Sequence, residues 1–405
     1  MKLGKGDKGS FQITNLSAET PMRAFLLAST LVLIGCNAPE PMAGNGAAAR
    51  TPDAAASGKP FQVQEIARFD EPWAMTFLPG TGEALITEMK GRLLLWTGSG
   101  APTPVAGAPR VDHGGQGGLG DVVAHPDFAR NNLVYLSWVE AGQGDTRGAV
   151  VGRGRLVREG GTPRLDGLQI IWRQEPKVTG RGHYGHRIAF SPDGHMFISN
   201  GDRQKFDPAQ DDNQTLGKIV RLTDAGGIPA DNPFHGQGQV KAQIWTKGHR
   251  NPLGIAFGPD GRLWEHEMGP AGGDEFNLIE RGRNYGYPIV SNGDHYDGRA
   301  IPDHDTRPEF AAPKISWTPV VSPAGLTFYS GALFPQWRGS AFMGALSGKA
   351  LLRIEIDGAS ARVADRWDMG QRIREVEQGP DGSLYVLEDG DDGGGGRLLR
   401  LTPAR

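Results

Sequence analysis

One pattern recurs six times after Phe61: an apolar strand, a Pro-Asp-Gly-like turn, and a second apolar strand that ends in an acidic or polar loop. The clear copies are Ile188-Ala-Phe-Ser-Pro-Asp-Gly194, Ile255-Ala-Phe-Gly-Pro-Asp-Gly261 and Val376-Glu-Gln-Gly-Pro-Asp-Gly382. Weaker copies begin at Met75, Val122 and Leu326, so successive units lie about 45 to 70 residues apart. A single small sheet of this kind cannot bury both of its faces. Stacking the sheets radially covers the faces and leaves only short edges. Six units therefore predict an all-β, six-bladed β-propeller. Glycine supports this, at 61 of 405 residues, about twice the usual share of roughly 7%. These glycines sit mainly in tight turns and form no simple repeat. The strands expected at Phe61–Phe69 and Gly396–Thr402 lie at opposite ends of the pattern, and pairing them in one blade would close the ring.

The residues before this pattern belong to something else. Met22-Arg23 opens an apolar run, Ala24 to Ile34, that ends in Leu33-Ile34-Gly35-Cys36. A basic start, a short apolar stretch, small residues and then cysteine resemble a bacterial lipoprotein signal peptide. The run is too short to span a bilayer. Residues 1–36 are thus expected to be an N-terminal extension and leader, 37–60 an Ala-, Pro- and Gly-rich tether, and 61–405 the propeller domain. Cys36 is the expected lipidation site. As the chain's single cysteine it also rules out an intramolecular disulfide. The expected location is periplasmic, with Asn37 compatible with outer-membrane sorting and the lipid as the only tie to a membrane. A net charge of −3 argues against a nucleic-acid partner.

The chemistry has to come from the loops, because propellers host many unrelated activities. His183 and Asp202 lie on either side of one β-hairpin, which returns its ends to the same side of a sheet. An imidazole oriented by a carboxylate is the usual form of a general base; the plainer alternative is two polar residues beside a solvated turn. Gln116 sits in a glycine-rich turn. Arg250-Asn251, Lys349, Arg372 and Arg374 come from three blades, and in a strand Arg372 and Arg374 share a face. Convergent cations without a basic surface suit a compact polyanionic ligand. The segment Gly269–Asn277 is acidic and glycine-rich. Its carbonyl oxygens, Glu275 and the backbone near Tyr285 suit Ca²⁺, although an acidic turn reads the same way and the spacing is not that of an EF-hand. His183 and His186 lack the further ligands a zinc site needs. His125, His195 and His249 read as structural.

Together these residues resemble the soluble, pyrroloquinoline-quinone (PQQ) dependent glucose and aldose sugar dehydrogenases, the glucose/sorbosone dehydrogenase family. The matching strings are Gly115-Gln-Gly-Gly-Leu119, His125-Pro-Asp-Phe128, His183-Tyr-Gly-His-Arg187 and Asn200-Gly-Asp202. Further on come Gly248-His-Arg-Asn-Pro252, Gly269-Pro-Ala-Gly-Gly-Asp-Glu-Phe-Asn277, Asn284-Tyr-Gly-Tyr-Pro288 and Arg372-Ile-Arg374. They run in family order over about residues 62–403.

The resemblance implies that Gln116, Arg250, Asn251, Lys349, Arg372 and Arg374 hold PQQ. It implies a Ca²⁺ on the carbonyls of Gly269 and Pro270, and a structural Ca²⁺ at Glu275 and Tyr285. His183 would be the base, Asp202 its orienting partner, and Arg187 a neighbour of the reacting centre. Oxidation of an aldose at the anomeric carbon to the lactone would follow, with electrons passed to an external quinone or cytochrome. Three features depart from the family. Gly182 stands where glucose-oxidising relatives carry an acidic residue, Lys349 is shifted by about two places, and residues 292–314 have no clear counterpart. The competing readings are a Ca²⁺-dependent lactonase-type hydrolase, which needs carboxylates at the channel mouth, and a non-catalytic binding propeller, which needs no base.

Overall fold

A computed structural model describes residues 58–158, 161–389 and 396–404; the leader, Cys36 and most of the expected tether lie outside them. The fold is six four-stranded antiparallel sheets. Their innermost strands are Pro72–Phe77, Leu119–Ala124, Gly185–Phe190, Pro252–Phe257, Pro323–Phe328 and Ile373–Gln378, in blades 1 to 6. Each of these packs against the next, and the sixth packs against the first, so the ring closes around a channel. All six inner strands coincide with the six repeat copies.

Blade 6 is closed across the two ends of the domain. Phe61–Phe69 pairs antiparallel with Gly396–Pro403 in register Phe61 with Pro403 through Phe69 with Gly396. The first strand is therefore the outer edge of the last blade, as the sequence suggests.

Apolar burial explains why the strands form. Among the described residues the core falls into six clusters, one at each junction between neighbouring blades. Successive side chains of a strand point to opposite faces, and both faces of every blade are covered. Leu85 therefore packs toward blade 2 while Ile86 packs toward blade 6. Phe197 and Ile198 divide in the same way between blades 4 and 2. This double burial is why the strands read as apolar runs and not as alternating patterns.

The sequence does not show a register irregularity that recurs near the start of every inner strand. The pairing slips between Pro72 and Ala74, Leu119 and Val122, Gly185 and Ile188, Pro252 and Gly254, Ala324 and Leu326, and Ile373 and Glu375. A bulge re-aims the residue it inserts. Here the same end of all six strands is affected, and Trp73, Asp121, His186, Arg187, Leu253 and Arg374 fall within these slips.

Phe61 is buried and stands edge-on to Trp367 at 5.3 Å and to Trp337 at 6.3 Å, so it fastens the closing strand to blade 5. Phe61→Ala is expected to lower stability by about 3–5 kcal/mol in denaturant titration. Val63→Ala, at an exposed position on the same strand, should change it by about 0.5 kcal/mol or less. Equal effects would mean that the ring does not depend on this closure.

Candidate active site

The bulged ends of the inner strands open into a cavity of about 840 Å³ whose walls include Trp73, Gln116, His186, Lys349, Arg372 and Arg374. His183 is on the loop that enters blade 3, next in the chain to Tyr184, which lines the cavity. The backbone there is left-handed, with φ +50°, and is held by the Gln116 carboxamide, whose Oε1 accepts the His183 N–H at 2.7 Å. The ring's Nδ1 is 2.6 Å from Asp202 Oδ1. An ionised carboxylate only accepts, so this contact assigns the proton to Nδ1 and leaves the Nε2 lone pair available. Asp202 is fully buried and is itself fixed, because its N–H donates to the Arg250 carbonyl at 2.8 Å. Burial pulls the His183 pKa below its ordinary value; the Asp202 hydrogen bond opposes that, and the Arg250 and Arg203 charges add to it. The imidazole is therefore a neutral base at physiological pH.

Arg372 and Arg374 come together through the slip between Ile373 and Glu375 and not through regular strand alternation. Both donate to Asp389, with Arg372 Nε to Oδ2 at 2.8 Å and Arg374 Nη2 to Oδ1 at 2.9 Å. Burial works to raise the Asp389 pKa, but the two guanidiniums outweigh it and hold it below its ordinary value. Lys349, in a left-handed conformation with φ +45°, lines the same cavity. Arg250 donates from Nη1 to the Met268 carbonyl at 2.9 Å and from Nη2 to the Tyr296 hydroxyl at 3.2 Å. Arg250 and Asn251 are not among the residues lining the cavity, and Arg250 lines instead the small void beside Gly269; its Nε and the Oδ1 of Asn251 are buried with no partner. Buried polar atoms are almost always paired, so these two are the donor and acceptor that a bound polar ligand would satisfy.

The Arg187 guanidinium is buried inside the channel, where Nη1 pairs with Glu375 and, at 3.3 Å, with Asp121, while Nη2 is buried with no partner. Nε donates to the Leu253 carbonyl at 2.9 Å, and the guanidinium lies 4.0 Å from the Trp73 ring centroid. Burial raises the Glu375 pKa to about 7, and the Arg187 charge limits that rise. His186 also has its own partners: its ring stacks on Trp73, and Nδ1 meets Ser137 Oγ at 2.7 Å. It is thus no co-ligand of His183.

The expected metal residues divide. Gly269 and Pro270 are buried in a turn whose Gly269 N–H donates to Asp274 at 2.8 Å. Gly269 lines a small void of about 10 Å³ with Glu267 and Glu275, close to the space one water needs. Glu275 and Tyr285 each have partners of their own. The Tyr285 hydroxyl donates to the Leu278 carbonyl, and its own carbonyl faces His304 Nε2 at 3.1 Å. His304 Nδ1 is 3.8 Å from Glu275 Oε1, beyond hydrogen-bond reach, so the ring lies near both residues expected to hold a structural calcium. Donor atoms of metal-binding type converge instead at His249, Glu265 and Glu267, all within 4.8 Å of one another. Burial, and then the neighbouring Glu267, raise the Glu265 and Glu275 pKa values well above the ordinary carboxylate range.

Sequence reasoning missed Asp389, Glu375, Asp121 and this buried cluster, and set His249 aside. Asp389 had a legible signal, since it follows the second strand of blade 6 much as Asp202 follows that of blade 3. Glu265 and Glu267 alternate with Trp264 and His266 on a fully buried strand, opposite Asn277 and Glu275.

Against this geometry, the model of the glucose/sorbosone dehydrogenase family matches residues 69–400. The chain belongs to the glucose/sorbosone dehydrogenase family. It is 40% identical over 344 residues to aldose sugar dehydrogenase YliI of Escherichia coli, covering 83% of this chain and 91% of that one. The structure of the soluble aldose sugar dehydrogenase from E. coli in its apo form superposes with a TM-score of 0.80 at 39% identity, over 85% of this chain and all (100%) of that one. The PQQ-bound aldose sugar dehydrogenase of Streptomyces coelicolor gives a TM-score of 0.69 at 27% identity, over 86% and 99% of the two chains. As a member of the glucose/sorbosone dehydrogenase family, the protein is an oxidoreductase, and its matched residues take in nearly all of the propeller.

Arg187 is the charge that balances Asp121 and Glu375. Arg187→Met is expected to lower stability by about 3–5 kcal/mol near neutral pH, because it leaves carboxylates buried and unpaired. The Glu375 pKa already stands above its unfolded value, so the destabilisation should shrink as pH falls toward 5 and the carboxyls protonate. A pH-independent loss in denaturant titrations would contradict this account.

Proposed function

We propose that this protein oxidises aldose sugars at the anomeric carbon to the lactone, using PQQ and Ca²⁺. The observation that carries the reading is the His183–Asp202 pair, with a free Nε2, where His183 adjoins Tyr184 in the wall of a cavity lined by cations from blades 5 and 6. PQQ is a compact tricarboxylate with an ortho-quinone. Lys349, Arg372 and Arg374 suit its carboxylates, the unpartnered Arg250 Nε and Asn251 Oδ1 suit its polar edge, and Gln116 completes the wall. When bound, PQQ supplies the two-electron acceptor for the anomeric hydride, and a calcium ion on the carbonyls of Gly269 and Pro270 supplies a Lewis acid.

The chain's own residues do the rest. His183 Nε2 takes the proton of the anomeric hydroxyl. Asp202 holds the required tautomer and stabilises the imidazolium that forms. Gln116 and the Arg250 carbonyl hold those two residues in place. Arg187 fixes the channel wall through Asp121, Glu375 and the Leu253 carbonyl, with its Nη2 left for a group near the reacting centre. The electrons leave to an external quinone or cytochrome. The order Leu33-Ile34-Gly35-Cys36-Asn37 supports export, lipidation at Cys36 and an outer-membrane position facing the periplasm. A hydrolase of the lactonase type is disfavoured because the cavity carries cations, and Asp389, the one carboxylate lining it among the described residues, is already paired. A purely binding propeller would have no use for an oriented, neutral imidazole.

The first test is dye-linked aldose oxidation with PQQ and Ca²⁺ each supplied or withheld. Activity is expected only with both, and His183→Ala should abolish it while PQQ still binds. Activity without PQQ would refute the reading.

A second test is the pH profile. Burial lowers the His183 pKa, so the acid limb of kcat/KM is expected below about 6.5, the unperturbed imidazole value. Asp202→Asn removes the interaction that raises this pKa. It should cut kcat by about 10²–10⁴-fold and move the limb further down. An acid limb above 6.5 would mean that another group is the base.

A further inference from the structure

The loop after Asp202 carries three non-glycine residues in the left-handed half of backbone space: Arg203 at φ +58°, Gln204 at +59° and Phe206 at +64°. Phe206 has ψ −91°, a γ-turn geometry that bulky residues rarely adopt. Such a backbone persists only where its surroundings over-determine it, and here they do. The Asp202 carboxylate accepts the N–H groups of Gln204 at 3.0 Å and Phe206 at 3.1 Å. Arg203 donates to the carbonyls of Gly182, Arg147 and Gly180 and lies 3.8 Å from the Tyr184 ring centroid. The carboxylate that orients the base therefore also sets the position of Phe206.

Neither burial nor backbone preference accounts for that position. The Phe206 side chain is no part of the core, with 43% of its surface exposed. Its ring meets His295 edge-on at 5.7 Å and lies 6.4 Å from Tyr287. Tyr296, next to His295, is 76% exposed and accepts the hydrogen bond from Arg250. The Arg250 guanidinium lies 5.9 Å from the Tyr287 ring centroid and 5.7 Å from that of Tyr296. Two uncovered aromatic side chains thus stand around the residue whose carbonyl holds Asp202.

We propose that Phe206, with Tyr296 beyond Arg250, forms the wall on which the sugar ring stacks. A pyranose has an apolar C–H face and a polar rim. A rigid aromatic ring covers the first at little entropic cost, leaving the rim and its anomeric hydroxyl toward His183. A wall without a closed pocket would accept several aldoses, and with a disaccharide it would also reach the second ring. This rests on the aldose reading above.

The test uses the full chain loaded with PQQ and Ca²⁺. Phe206→Ala should raise KM for glucose and maltose by about tenfold, the order of one aromatic stacking contact. It should leave kcat within about twofold and PQQ affinity unchanged, and Phe206→Trp should restore KM. Methyl glucoside, which has no free anomeric hydroxyl to oxidise, reports binding without turnover by saturation-transfer NMR. Its signal should be present in the parent protein, weaken in Phe206→Ala and return in Phe206→Trp. Unchanged KM and unchanged methyl glucoside binding would overturn the proposal, as would a loss of PQQ affinity in its place. If no aldose is oxidised, the activity reading falls by itself. Methyl glucoside binding then still decides: a Phe206-dependent signal upholds the wall, and no signal in the parent protein removes it.

Discussion

A single buried guanidinium holds the centre of the ring. Arg187 projects from the inner strand of blade 3 and meets Asp121 of blade 2, Glu375 of blade 6, the Leu253 carbonyl of blade 4 and the Trp73 ring of blade 1. Blade 5 joins through Gly325, whose backbone packs so closely on Glu375 that no Cβ would fit. A charge this deep is tolerated only when it is paired and hydrogen-bonded. The pairing draws on every blade, so each inner strand has to reach the channel at one height. The floor of the cavity is settled by that requirement.

The slips in the six inner strands are how the chain meets it. A regular antiparallel strand would send alternate residues to the two blade faces, where they would join the inter-blade cores. One inserted residue near the start of each strand breaks that alternation and turns a side chain or a backbone segment toward the channel. The same device that delivers Asp121 and Arg187 to the floor delivers Trp73, His186 and Arg374 to the cavity wall. Fold and site are thus built by one irregularity, repeated six times.

Electrostatics then separates the site into layers. Cations face the cavity, partly compensated by Asp389, and the neutral His183 sits beside them with its pKa held down. The carboxylates Glu265, Glu267 and Glu275 are buried beside His249, and His304, from residues 292–314, enters the interior between Glu275 and the Tyr285 carbonyl. Asp202 joins the layers. It orients the base through one oxygen and, through both, holds the strained loop that carries Gln204 and Phe206.

By itself the sequence determined the blade count, the inner strands, the closure of the ring by its two ends and the meeting of His183 with Asp202. Each of these follows from local patterning: apolar runs buried on both faces, Pro-Asp-Gly turns, and a hairpin that returns its ends to one side. It also pairs Arg372 with Arg374, but they meet at Asp389 through the slip between Ile373 and Glu375 and not through regular strand alternation. Only the tertiary structure decided which charges pair. Nothing in the sequence around Arg187 names its partners; a bulge turns it into the channel to carboxylates 66 and 188 residues away. Bulges and contacts between blades are non-local, and no run of residues announces them. The partners of Arg187, Asp389 and His304 become visible only once the ring has closed.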